Sequence, residues 1–203
     1  MKAIQPSRSA DVTSTRATAE LDEITLERAR RGNRDAFRQL VERYERPVFS
    51  VLGRMLYACG KESLVDDLAQ ETFVRVFRAL GSFGADGRHR LSSWILTIAT
   101  RLAIDELRKP QHTEPFSARH DLASDVRADR DSERRGVASA IERAVAALSP
   151  EHRATFLLRE VHDFEYDEIA EALKVDLGTV KSRLSRARTA LRAALKGIHD
   201  EVE

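Results

Sequence analysis

Apolar residues recur at steps of three and four over residues 21–109 and again over 137–198, which is the spacing of amphipathic helices. In the first stretch this pattern predicts three helices, with Gly81 expected to end the second and Ser92 or Ser93 expected to cap the third. The inward positions are Phe37, Leu40, Val41, Tyr44, Val48, Val51 and Leu52; Val65, Ala69, Phe73, Val76, Phe77 and Leu80; and Trp94, Ile95, Ile98, Ala99 and Leu102. In the second stretch Ser149 and Pro150 are typical of a helix start.

Two segments lack this periodicity. Residues 1–20 are rich in Ser, Thr, Ala and Arg, which predicts a disordered tail. Residues 110–136 combine two prolines with dense mixed charge, as flexible linkers do. The sequence therefore predicts an all-α protein with two small helical domains, residues 21–109 and 137–198, joined by a linker.

The second domain contains a predicted helix-turn-helix that begins at residue 166. Its two helical halves are separated by the short turn Lys-Val-Asp at residues 174–176, in which Asp176 can cap the second half. A shared core is expected from Ile169, Ala170, Leu173, Val175, Val180, Leu184, Ala187 and Leu191. This arrangement places the second helix in the major groove of DNA.

Charge placement supports DNA binding, although the net charge of the whole chain is only +1. The segment from Gly178 to Lys196 carries six basic residues and no acid, which suits a phosphate-lined groove. The predicted DNA contacts are Thr179, Lys181, Ser182, Arg183, Ser185, Arg186 and Arg188. The alternative is a basic helix whose charges are only solvated.

Long segments of both domains resemble one family, the extracytoplasmic-function (ECF) group of sigma-70 factors. DAFRQLVERYERPVFSVLGRML, DDLAQETFVRVFRAL and LSSWILTIATRLAIDELRK are similar to its regions 2.1, 2.2 and 2.3 to 2.4. LSPEHRATFLLREVHDFEYDEIAEAL and GTVKSRLSRARTAL are similar to its regions 4.1 and 4.2. The resemblance implies a subunit that binds core RNA polymerase, directs it to promoters through −10 and −35 elements, and promotes DNA melting.

The resemblance also implies roles for particular residues. The first domain would bind the polymerase clamp, in the β′ subunit, through Asp66, Asp67, Gln70 and Glu71. It would read the −10 element through Phe83, Arg88, Arg90, Arg101, Arg108 and Lys109, while the helix-turn-helix reads the −35 element. Arg101 stands where the family usually has asparagine, and Trp94 is open to either a core role or base stacking.

Further expectations concern partners and chemistry. The resemblance implies the flap of the polymerase β subunit and an anti-sigma factor as additional partners. No cofactor, metal or catalytic residue is expected, because the six histidines are scattered and the single cysteine, Cys59, has no motif that pairs it with a base. No apolar run is long enough to cross a membrane, and a cytoplasmic protein is expected.

Two other classes of protein remain as alternatives to this reading. One is a two-domain helix-turn-helix regulator that acts without polymerase. The other is a helical interaction module whose basic helix binds an acidic partner. An enzyme is a third class, for which the sequence offers no set of catalytic residues.

Overall fold

The computed structural model describes residues 20–84, 90–109 and 140–199. The predicted tail, apart from Glu20, and the predicted linker lie outside these residues. The described residues form helices and no strand, so the all-α prediction is confirmed. The helices are α1 (Glu23–Arg30), α2 (Arg34–Leu56), α3 (Val65–Ala79), α4 (Leu91–Arg108), α5 (140–146), α6 (Pro150–Glu160), α7 (Tyr166–Leu173) and α8 (Leu177–His199).

In the first domain α2 and α4 pack against each other, α1 packs against α2, and α3 packs against both α2 and α4. Along α2 the residues Leu40, Val48 and Leu52 are fully buried, at the helical spacing that the sequence predicts. The helix begins at the Asn33 cap, whose side chain accepts a hydrogen bond from the Ala36 N–H at 2.9 Å. It continues through Pro47.

Three local predictions for this domain were wrong. The helix α3 ends at Ala79, and a 3-10 turn over Leu80–Ser82 follows, so Gly81 is not a left-handed cap. The residue at the N-cap of α4 is Arg90, and Ser92 and Ser93 lie in the first turn. Phe77 was predicted to face inward, but it is 55% exposed. Its ring meets the Phe37 ring edge-on, with the centroids 5.0 Å apart.

The last four helices contain the predicted helix-turn-helix. Ser149 caps α6 by accepting a hydrogen bond from the His152 N–H at 3.4 Å, and Pro150 is the first helical residue. Between α7 and α8 the chain turns at Lys174, which has a left-handed φ of 53°. Asp176 then accepts a 2.7 Å hydrogen bond from the Thr179 N–H, which confirms the predicted cap. The shared core is formed as expected, with Ile169, Val180, Leu184, Ala187 and Leu191 buried.

The two groups of helices lie directly against each other. α4 contacts α6 and α7, and α2 contacts α6. Their buried apolar residues form one continuous cluster, from Leu40 in α2 to Leu191 in α8. The polar groups at this junction include residues that the sequence assigns to DNA.

Candidate nucleic-acid and polymerase interfaces

The first turns of α8 present an exposed polar surface. Lys181, Ser185 and Arg186 are exposed, and their side chains make no ion pair or hydrogen bond with any described residue. We call these three residues the α8 reading face. Beside them, the Ser182 hydroxyl donates to the Thr179 carbonyl at 3.0 Å, and the Thr179 hydroxyl donates to Asp176 at 2.6 Å. The α8 reading face is therefore free to contact a ligand without breaking an internal bond.

The other two predicted DNA contacts of α8 are engaged within the protein. Arg188 donates to a carboxylate oxygen of Glu160 in α6 at 2.6 Å, and this hydrogen bond raises the pKa of Arg188. Arg183 is half-buried and lines a cleft between the two domains. Arg188 thus contributes to the position of α8 within the fold.

At the start of α4, two aromatic rings stack in a tilted pair. The Phe83 and Trp94 ring centroids are 4.9 Å apart. The guanidinium of Arg30 lies 5.7 Å from the Phe83 ring and donates to the Phe83 carbonyl at 2.6 Å. Trp94 is partly buried, so it packs against the core and also retains exposed ring surface. Both roles that the sequence left open for Trp94 are therefore compatible with its position.

Three arginines predicted to contact the −10 element all bind the second domain, and the side chains of Arg90 and Arg108 also stay partly exposed to solvent. Arg90 donates to Glu168 at 3.1 Å, and Arg108 donates to Glu151 at 3.1 Å. Arg101 donates to the backbone carbonyl of Ala172 at 2.7 Å. We call Arg90, Arg101 and Arg108 the α4 arginine face. Of the other −10 candidates, Lys109 pairs with Glu106 of its own helix, and Arg88 lies outside the described residues.

Both acidic partners remain ionised at the junction. Burial tends to raise the pKa of Glu168, but hydrogen bonds from the Glu165 backbone N–H and from Arg90 outweigh it and lower that pKa. Burial likewise opposes ionisation of Glu151, whose own backbone N–H and Arg108 hold its pKa below the ordinary value. These carboxylates are thus charged partners for the α4 arginine face at neutral pH.

Sequence reasoning missed one residue at the junction, Arg153 in α6. Its guanidinium is only 2% exposed and donates to backbone carbonyls of its own domain, including that of Leu148 at 2.9 Å. It also donates to the Met55 carbonyl in α2, and its Nη1 lies 3.5 Å from the sulfur of Cys59. The only sequence signal was its helical spacing with the buried Leu157 four residues later, which places it on the inner side of α6.

The predicted polymerase contacts lie together at the start of α3. Asp66, Asp67 and Gln70 are exposed on the side opposite the buried Ala69 and Val76. Glu71 forms an ion pair with Arg75, one turn later, at 2.7 Å. The acidic first turn is also where the helix dipole favours negative charge. The structure therefore brings the four residues to one accessible surface.

Among the described residues no three His, Cys, Asp or Glu side chains are grouped so that they could hold a metal ion. Cys59 is partly buried beside Arg153. In residues 20–84, 90–109 and 140–199, no helix has the length and apolar character needed to cross a membrane.

A helix-turn-helix with an unpaired basic reading face, joined to a second helical domain with cationic and aromatic groups, defines a DNA-binding protein of two domains. Two protein-family models match the chain and assign this DNA-binding protein to one family. Sigma-70 region 2 matches residues 40–113, and Sigma-70, region 4 matches residues 138–191. The chain belongs to the sigma-70 family, in its ECF group.

Individual relatives are similar over most of their length. The RNA polymerase sigma-H factor of Pseudomonas aeruginosa is 30% identical over 190 residues, covering 88% of this chain and 96% of that protein. The ECF RNA polymerase sigma factor SigW of Bacillus subtilis is 29% identical over 184 residues, covering 85% of this chain and 96% of that protein. Among solved structures, CnrH in complex with the cytosolic domain of CnrY matches with a TM-score of 0.59 and 25% identity, over 86% of this chain and 96% of that one.

The matches also decide between the classes of protein left open above. They cover both domains, so a sigma factor that directs RNA polymerase to promoters is shown and the stand-alone regulator is not favoured. Sigma factors are DNA-binding initiation factors that are not themselves enzymes.

Proposed function

We propose that the two domains of this sigma factor divide promoter recognition between them. Residues 21–109 bind core polymerase and the −10 element, and residues 137–198 bind the −35 element. The observation that carries this proposal is the α8 reading face, Lys181, Ser185 and Arg186, which is exposed and unpaired on a helix held rigidly by a buried core.

The −35 contact follows from the chemistry of the α8 reading face. Lys181 and Arg186 can donate to guanine acceptors in the major groove, and a good contact of this kind contributes about 1 to 3 kcal/mol of base discrimination. Thr179 and Ser182 can donate to phosphates once their hydroxyls turn away from Asp176 and from the Thr179 carbonyl, to which they donate in the free chain. Arg183 and Arg188 lie further around the helix, and their long side chains would contact the DNA backbone once Arg188 leaves Glu160.

The −10 contact needs a surface for unstacked bases and cations for the single strand. The Phe83 and Trp94 pair supplies aromatic surface, and base stacking on such rings contributes about 1 to 3 kcal/mol per base. Arg90, Arg101, Arg108 and Lys109 supply positive charge along α4, and Arg88 completes the predicted set. Promoter opening is then driven by binding energy, so we propose that the chain has no catalytic residue, cofactor or metal of its own.

Contact with polymerase is assigned to the acidic surface of α3, formed by Asp66, Asp67, Gln70 and Glu71. These side chains point away from the core and would meet the clamp in the β′ subunit, while the second domain meets the flap of the β subunit. We further propose an anti-sigma factor as a partner. The sigma factor RpoE of Bartonella quintana was solved with the anti-sigma factor NepR, and it matches this chain in fold with a TM-score of 0.57 and 23% identity. A protein with these partners acts in the cytoplasm.

Reconstitution with core RNA polymerase on a promoter library tests the proposal. The purified chain is expected to co-purify with core and to start transcripts at a defined set of promoters that share −10 and −35 sequences. A chain that neither binds core nor starts specific transcripts would overturn it. Tight duplex binding without polymerase, and no melting, would favour the stand-alone regulator instead.

A further inference from the structure

The cleft between the two domains has the size and the chemistry of a site for a small ligand. It has a volume of about 410 Å³, and its lining comes from α4, the start of α6, the end of α7 with the turn after it, and α8. Sites for small molecules typically enclose about 300 to 1,000 Å³. We propose that this space, the junction cleft, binds a small phosphorylated molecule of nucleotide size.

Positive charge dominates the lining of the junction cleft. Four basic and two acidic side chains give it a net charge of +2, and they are Arg101, Asp105, Arg108, Glu151, Lys174 and Arg183. Glu151 is neutralised within the protein, because Arg108 donates to it from Nε and Nη2 at 3.3 and 3.1 Å. Asp105 is thus the one acidic residue of the lining that such a ligand would meet without a bound cation.

Cationic donors in the junction cleft are left over after the internal bonds are made. Lys174 is exposed and Arg183 is half-buried, and neither makes an ion pair or hydrogen bond with any described residue. Arg101 donates from Nε to the Ala172 carbonyl and from Nη2 to the Glu171 carbonyl, so its guanidinium is held in place while Nη1 has no partner among the described residues. A guanidinium with spare N–H groups and a free ammonium are the groups that bind phosphate oxygens.

The lining also contains apolar residues. Ile104 of α4 and Ala172 of α7 are buried, while Leu173 and Val175 are half-buried. Inorganic phosphate has no apolar surface to place against these side chains, whereas the base and sugar of a nucleotide do. Spare cationic donors beside apolar surface therefore favour a ligand that joins phosphate to a ring.

A strand of nucleic acid is the main competing occupant, because Arg101, Arg108 and Arg183 are also among the proposed DNA contacts. The α8 reading face, however, does not line the junction cleft. Both domains border the cleft, and hydrogen bonds join α4 to α6 and α7 there. A concave space of this volume suits one nucleotide better than a continuous strand.

Isothermal titration calorimetry on the purified full chain, without polymerase, DNA or divalent cations, measures binding. The probes are ADP, GDP, adenosine and inorganic pyrophosphate. At least one of the two nucleotides should bind, and pyrophosphate and adenosine should each bind about tenfold more weakly or less, because each keeps only part of the contacts. The proposal is overturned if neither nucleotide binds at concentrations up to about 1 mM, or if pyrophosphate or adenosine binds as tightly as the nucleotide.

Two variants with opposite expected effects locate the site, and neither residue has a role in the proposed function. Lys174→Asn removes a cation and should weaken nucleotide binding about three- to fivefold. Asparagine suits the left-handed φ of 53° at this position. Asp105→Asn removes a negative charge from the lining and should tighten nucleotide binding about two- to threefold. Damage to the fold would not produce tighter binding, so Asp105→Asn separates a charge effect from a loss of structure.

The matched controls are Arg192→Gln and Asp167→Asn, at exposed positions outside the junction cleft. Each should change nucleotide affinity by less than about 1.5-fold, because the charge is distant and screened by salt. An equal loss of affinity in Arg192→Gln and Lys174→Asn would indicate general attraction to a basic surface and would overturn the site. The same conclusion would follow if Asp105→Asn bound nucleotide no more tightly than Asp167→Asn.

A labelled random single-stranded DNA of 12 nucleotides tests the competing occupant, with fluorescence anisotropy as the readout. Lys174→Asn should reduce DNA affinity by a smaller factor than nucleotide affinity. An equal or larger loss of DNA affinity would make the cleft part of the DNA surface and overturn the small-molecule site. The inference does not rest on the promoter contacts. Failed transcription in the reconstituted system would therefore leave it standing, and absent nucleotide binding would leave the promoter assignments unchanged.

Discussion

Arg101 in α4 and Ala172 in α7 are joined by a 2.7 Å hydrogen bond from the guanidinium Nε to the backbone carbonyl. The resemblance described in the sequence analysis implies that Arg101 stands where the family usually has asparagine. Asparagine has a much shorter side chain, and from the same backbone position it could not reach two carbonyls of another domain. The departure therefore has a structural consequence in the free chain, whatever its effect on the choice of base.

Arg101→Asn should weaken the contact between the two domains. Loss of two charge-assisted hydrogen bonds at a partly exposed site corresponds to roughly 1 kcal/mol, or about a fivefold lower ratio of chains with the domains in contact to chains with the domains apart. Arg101→Lys keeps the charge but not the two-pronged geometry, so its ratio should fall between those of the unaltered protein and Arg101→Asn. Energy transfer between fluorophores at the exposed positions Ser63 and Thr189, introduced as cysteines on a Cys59→Ser background, measures the ratio. An unchanged signal in Arg101→Asn would contradict this role.

Lys181→Ala with Arg186→Ala should weaken −35 dependence. Losing one or two base contacts of about 1 to 3 kcal/mol lowers discrimination between intact and scrambled −35 sequences by tenfold or more. Core binding should remain. The control is Arg192→Ala with Lys196→Ala, which removes the same charge from exposed positions later in α8. Transcription from paired promoters measures the effect, and loss of core binding would argue against the assigned division of roles.

Asp66→Asn with Asp67→Asn should weaken core binding about tenfold, because it removes two exposed charges from the surface assigned to the clamp. The preferred promoter sequence should not change. Binding of the labelled chain to purified core polymerase gives the affinity, and Glu142→Gln with Asp167→Asn is the charge-matched control. A changed promoter preference at normal affinity would place these aspartates elsewhere in the mechanism.

Arg153→Met should destabilise the fold strongly. The guanidinium satisfies several buried carbonyls, and each buried acceptor left without a donor costs about 1 to 3 kcal/mol, so a loss of at least ~3 kcal/mol is expected. Urea unfolding measures the change in the free energy of unfolding. Arg143→Met, at an exposed position of α5, should change it by less than ~0.5 kcal/mol. Similar losses in both variants would show that Arg153 is not specifically required.

His162 should make stability depend on pH. Burial, together with the positive charge of Arg54 in α2 and against a smaller opposing effect of Asp163, lowers the pKa of His162 from 6.5 to about 4. The unfolded chain then binds more protons than the folded chain between pH 4 and 6.5. Stability is therefore full above about pH 6.5 and falls as the pH drops toward 4, by about 3 kcal/mol at most.

His162→Gln removes this titration. Urea unfolding between pH 4 and 7 should show a shallower fall in stability for this variant than for the starting protein. His152→Gln, in the first turn of α6, is the matched control and should keep the original slope. An equal slope in all three proteins would contradict the assignment.

Local signals in the sequence predicted the helices and the exposed polar side of α8 well. Ser149 with Pro150, and Asp176, act on backbone N–H groups within one helical turn, so short spacing was sufficient to find them. The inward positions of the helix-turn-helix follow from its 3.6-residue period. The exposure of Lys181, Ser185 and Arg186 follows from the same period, because they occupy the remaining side of α8.

Other features depended on contacts between distant residues. Phe77 has apolar spacing, yet the fold leaves it mostly exposed beside Phe37. Ser93 is an ordinary candidate for a helix cap, yet its hydroxyl donates to Glu168, 75 residues away. Periodicity locates the inner side of a helix, but it cannot say which neighbouring helix covers that side.

The sequence by itself thus determined the two helical domains, the helix-turn-helix and the charged surfaces, because each depends on propensity, capping and periodicity within a few turns. Only the tertiary structure decided that Arg101 and Arg153 meet the ends of helices in the opposite domain, over separations of 71 and 98 residues. A guanidinium binds carbonyls, carboxylates and phosphates alike, so its partner is set by the packing that brings an acceptor within reach.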